Sequence, residues 1–159
     1  MKEWFEWIEK AGIENMKLHH VSADNLAKDA ATTLTVLLAG MGGSFTYAVK
    51  VFDTGTWNWL TVGATALTLW FAILGFYLVI KCLMATPIPQ IYNEPANLSV
   101  SGIDFDDVRR QELDNLQARI NEAARRNRLI ARQLNVVRRL AVSSPLIFIG
   151  SAIVFRWWW

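Results

Sequence analysis

His19, His20 and Cys82 carry the most reactive side chains in this chain, and their spacing decides what chemistry they can support. Adjacent histidines do not share a helical face, so they do not make the i, i+4 pair that grips a zinc ion. Cys82 is the single cysteine, which removes a disulfide framework and a thiolate cluster. It falls at the end of an apolar run, where a small buried hydrophobe is the expected role rather than a nucleophile. The carboxylates are scattered and bring no base to a nucleophile. Gly40, Gly42 and Gly43 form a glycine-rich run, yet no Lys-Thr or Lys-Ser follows to make a phosphate loop. The expectation is therefore no catalytic residue, no metal, no cofactor and no enzyme.

Those glycines belong instead to an apolar run. Ala30 to Phe52 holds one charge, Lys50, and Trp57 to Ile80 holds none. At about 1.5 Å per helical residue, each reaches the roughly 30 Å of a bilayer's hydrocarbon core. Helices satisfy their own backbone there, and the chain lacks the alternating ten-residue strands of a barrel. Within the first run Ala39, Gly40, Gly43 and Ser44 give four-residue spacing of small residues, which lets helix backbones approach closely in lipid. Thr32, Thr35, Ala39, Gly42 and Thr46 form one stripe, and Thr61, Thr65 and Thr68 another. Such stripes serve packing seams and pore linings, the seam being the commoner use. No ionisable residue lies at the middle of either run, which argues against an ion-coupled transporter.

The cationic residues set the expected topology. The loop between the two runs is short, whereas nine arginines lie between Met84 and Leu140, so that long segment and the amino terminus, with Lys2, Lys10, Lys17 and Lys28, are expected inside. Trp57 and Trp59 suit the outer interface. Leu140 to Phe155 is apolar but short, about 24 Å as a helix. Arg156 and the ring anchors Trp157, Trp158 and Trp159 make it a third span ending outside. Pro145 is expected in its first turn, or as a kink.

Elsewhere, residues 2–17 predict an amphipathic helix with Trp4, Trp7, Ile8 and Ala11 on one face, docked on the inner leaflet or a neighbouring subunit. Interleaved Lys and Glu there predict no cleavable signal. Asp24 is placed to cap the first long helix. Prolines 87, 89 and 95 make 85–103 a linker. The helix after it, 104–140, starts on Asp104, Asp106 and Asp107 and ends among arginines, as the macrodipole favours. Leu113, Leu116, Ile120, Ala123, Asn127, Ile130, Leu134, Val137 and Ala141 alternate three-four over about four heptads. Self-association through this stripe is expected, with Asn127 fixing register; the alternative is cover by the chain's own amino-terminal helix. Arg125, Arg126, Arg132, Arg138 and Arg139 solvate the helix, touch lipid headgroups or meet a partner. Nucleic acid is not expected, since acidic residues offset the charge and no aromatics interleave.

The order of parts resembles the membrane domain of Pycsar-type antiphage effectors and related small defence-operon modules. Two close spans are followed by a proline- and asparagine-containing turn at Thr86 to Leu98, with Pro87, Pro89, Asn93, Pro95 and Asn97, and then by a helix and terminal span from Gln111 to Ile149. That resemblance implies an oligomer that permeabilises the inner membrane on a signal; lacking a nucleotide-binding domain, this chain would take its trigger from a soluble cytoplasmic partner. A passive membrane anchor is the second expectation. A holin is the third, and the Arg156-Trp-Trp-Trp ending fits it poorly. Altogether the sequence predicts an all-α membrane protein of the bacterial inner membrane, a single domain over 1–159 with three transmembrane helices at 30–52, 57–84 and 141–157, amino terminus in and carboxyl terminus out.

Overall fold

Helices are the only regular elements among the described residues of the computed structural model, which are 2–55, 58–84, 87–94, 102 and 104–158. They are α1 (Lys2–Thr54), α2 (Trp59–Leu78) continued by a π-helical turn (Val79–Leu83), α3 (Phe105–Val142) and α4 (Ser144–Trp158). The predicted Trp57, Thr86, Pro95, Asn97, Leu98 and Trp159 lie outside the described residues.

One expectation is corrected at once. The amphipathic segment and the first span are a single helix of 53 residues, and Asp24 sits inside it rather than capping a start. No proline occurs before Pro87, so nothing local breaks the backbone ladder. Beyond Thr54 the chain turns at Gly55, whose φ of 67° is the left-handed conformation that ends helices and that only glycine adopts freely. Asn58 then caps α2, its Oδ1 accepting from the Thr61 amide at 3.0 Å and the Thr61 hydroxyl at 3.1 Å. At the far end the Met84 amide reaches the Val79 carbonyl at 2.9 Å, closing the wider π turn.

Two helices are long and apolar enough to cross a membrane, within Glu3–Val51 and Trp59–Leu83, and the α3–α4 pair, bent by 44°, makes a third if taken as one span. Contacts divide the chain into two units, Met1–Leu26 with Ala85–Leu129, and Ala27–Met84 with Ile130–Trp159.

In the first unit, the opening turns of α1 run parallel to α3. Met16 is fully buried against Leu116, Ile120 and Ala123, with Ile13 and Ile91 beside them. Gly12 meets Leu116 so closely that a Cβ there would stand 2.7 Å from Leu116 Cδ2. Arg109 donates to Glu9 at 3.0 Å and lies over the Phe5 ring at 5.8 Å. Arg119 pairs with Glu112 at 2.6 Å, and Asn93 donates to the other oxygen of that carboxylate. In the second unit the rest of α1, α2 with its π turn, the end of α3 and α4 pack together, α2 lying along α4.

Candidate functional site

The small residues of the second unit separate into two faces. Gly40 is filled by Phe71, whose ring would stand 2.8 Å from an added Cβ, and Gly63 by Phe148 at 2.7 Å. Thr68 donates to Ser44 at 2.8 Å, joining α1 to α2, while Thr61 is buried and Thr65 returns its hydroxyl to the Thr61 carbonyl. Gly40, Ser44, Thr61 and Thr68 are therefore seam residues within one chain. The other face is open: nothing approaches Gly42 or Gly43, Ala39 is exposed, and Thr32, Thr35 and Thr46 donate to their own helix at the Lys28, Ala31 and Gly42 carbonyls. A mostly apolar groove of about 390 Å³, lined by residues that include Gly40, Ser44, Tyr47, Phe71 and Phe148, borders the seam.

A second seam sets the register of α2 against α3 and α4. Phe148 fills Gly63, the Trp70 indole donates to the Leu140 carbonyl at 3.3 Å, Tyr77 donates to Gln133 at 2.5 Å, and the Cys82 thiol lies 3.9 Å from the Ile130 carbonyl. These four contacts keep one antiparallel register along the whole of α2. Leu140, the first residue of the third apolar run, thus stands beside Trp70, near the middle of the 25-residue segment Trp59–Leu83. By the same register Arg139 is level with Phe71 and Arg132 with Leu78.

Pro145 explains why α4 begins where it does. Proline brings no N–H to the Ala141 carbonyl, and the Ser144 hydroxyl donates there instead at 2.5 Å. The Leu140 carbonyl takes the Ser143 hydroxyl at 2.8 Å as well as Trp70. Hydroxyls and an indole thus supply a broken ladder, which is how such breaks survive away from water. The 15 residues of α4 span about 22 Å, short of a hydrocarbon core.

The heptad stripe has cover within the chain, the alternative to self-association. Leu116, Ile120, Asn127, Leu134 and Val137 are buried and Ile130 half-buried, but inside one chain. Asn127 donates to the His19 carbonyl at 2.8 Å, so its amide is engaged by α1 rather than by an asparagine of another copy. The expected apolar face of α1 is likewise shifted: Trp4 and Trp7 are 63% exposed and stack on each other at 5.4 Å, while Phe5, Ile8, Gly12 and Met16 turn toward α3. Periodicity signalled both faces, and the larger tryptophans drew the assignment away from the glycine.

Among the arginines, Arg138 reaches Asp29 at 3.2 Å and Thr33 Oγ1 at 3.2 Å. Arg126 touches Asn127 at 3.4 Å, while Arg125, Arg132 and Arg139 are exposed. Trp59, Trp157 and Trp158 are exposed. No group of histidine, cysteine and carboxylate side chains among the described residues could hold a metal ion. The chain matches no protein-family model, no curated protein and no solved structure.

Proposed function

We propose that this chain is a multi-pass protein of the bacterial inner membrane that disturbs and permeabilises the bilayer around its third segment, working as a homo-oligomer. The carrying observation is the Trp70–Leu140 contact, which sets the start of the third apolar run at mid-height on α2. A bilayer thick enough for Trp59–Leu83 is too thick for α4, and lipid must thin or water must enter on that side. Arginines at such depth add to the disturbance, since a charge near the bilayer centre costs about 2.5–3.5 kcal/mol on insertion scales and draws in headgroups or water.

The seam leaves no polar channel among the described residues of one copy, so conduction requires several. The open face of Ala39, Gly42 and Gly43 suits their contact. By the positive-inside rule both α1's start and the arginine-rich α3 face the cytoplasm. Antiphage defence, triggered by a soluble partner, is the setting that the layout resemblance favours. The exposed Trp4–Trp7 pair supports a second reading, a passive anchor holding a soluble partner.

Dye release from vesicles of graded acyl length tests the first reading. Leakage should rise with bilayer thickness, and tight vesicles at every thickness leave the anchor.

A further inference from the structure

We infer that Arg132, Asn135 and Arg139 bind the phosphate of an anionic phospholipid, drawn inward of the level at which α2 meets its headgroups. This rests on the membrane reading of the second unit.

The first observation is an imbalance of partners. Arg138 and Arg139 are neighbours, yet only Arg138 is paired, with Asp29. Arg139 is exposed and makes no ion pair among the described residues, and the same holds for Arg132, two turns earlier on the same face. No acidic residue follows Glu122 in the chain, and the unit's only other carboxylate, Asp53, lies beyond the opposite end of the apolar run of α1. Among the described residues these two cations have no carboxylate partner.

The second is depth. The α2 register places Arg139 level with Phe71, ten residues from Lys81, or about 15 Å along the helix. A guanidinium there is stable only if water or an anion follows it. Side chains on a helix lean toward its amino terminus, so Arg139 inclines toward Asn135 and Arg132. The guanidinium fork matches two phosphate oxygens at once, and Asn135 adds a neutral donor between the arginines.

The third names the occupant. Arg132, Asn135 and Arg139 are followed at the same three-four spacing by Val142 and, beyond the 44° bend, by Leu146, Ile149 and Ile153, which are 80%, 71%, 52% and 55% exposed. Cationic and polar first, then apolar, is the order in which a phospholipid presents headgroup and acyl chain. A free phosphate uses only the first half of that series.

The test is native mass spectrometry of the full chain released from mixed micelles of phosphatidylglycerol and phosphatidylcholine. The parent should retain phosphatidylglycerol preferentially. R132Q and R139Q should each lower that retention about fivefold; R132K/R139K, which keeps the charges and loses both forks, should fall between R132Q/R139Q and the parent, and R110Q, on an exposed arginine of the first unit, should keep all of it. Equal retention of the two lipids, no change in R132Q/R139Q, or displacement by millimolar inorganic phosphate overturns the site. Dye release run in parallel separates the two readings: lipid preference without leakage upholds the site and removes the membrane-disturbing role, whereas leakage without preference does the reverse.

Discussion

The two units hold their helices together by opposite means. In the first, Met16, Leu116 and Ile120 interlock as large apolar side chains, with ion pairs at the rim. In the second, contact comes from residues removed or made polar: glycines filled by Phe71 and Phe148, a hydroxyl pair at Ser44 and Thr68, and Arg138 on Thr33. On the membrane reading of the second unit, the difference follows from the solvent. Water drives large apolar groups together, at about 25 cal/mol per Å² buried. Lipid gives no such drive, and helices there gain by close approach and by hydrogen bonds with no competitor.

Leu116→Ala should break the contrast most visibly, costing about 2–5 kcal/mol in the first unit, and hydrogen exchange should speed up along Ile13–Met16 while the Ser44–Thr68 seam keeps its protection. Gly63→Leu is the counterpart in the second unit. The added side chain must displace Phe148, at about 1–3 kcal/mol, read as a lower unfolding midpoint in detergent; an unchanged midpoint would mean that α4 does not rest on α2 there. Thr68→Val keeps shape and removes the interhelical hydrogen bond to Ser44 along with the hydroxyl's contact to the Ala64 carbonyl, for a loss of about 0.6 kcal/mol. Asp29→Asn should cost less than about 1 kcal/mol, and the difference should shrink in salt, because that pair is about half exposed. Asn127→Leu should leave copy number unchanged by light scattering, since its amide is engaged by His19 of the same chain; a shift in copy number would restore the self-associating stripe.

Much of this architecture was legible from local pattern. Uncharged length identified two spans, and three-four spacing identified the face of α3 that is buried. Who covers that face was not legible, because a heptad stripe specifies a surface and leaves its partner open. Asp24 misled for a related reason: an acidic residue ahead of an apolar run caps a helix only if the chain before it bends, and nothing before it forces a bend. The depth of Arg139 was hidden too. It depends on the pairing of Trp70 with Leu140, seventy residues apart, and helical periodicity carries no information about which turn of one helix meets which turn of another.

The short α4 bears on how the chain is made. An apolar stretch of 15 residues preceded by Arg138 and Arg139 is a weak candidate for entering a bilayer alone. Its footing is Gly63 and Trp70, both on a helix synthesised earlier. On the membrane reading, α4 therefore waits on α2, and membrane assembly of these helices is ordered in time, with α4 held by the surface that its predecessors have already built.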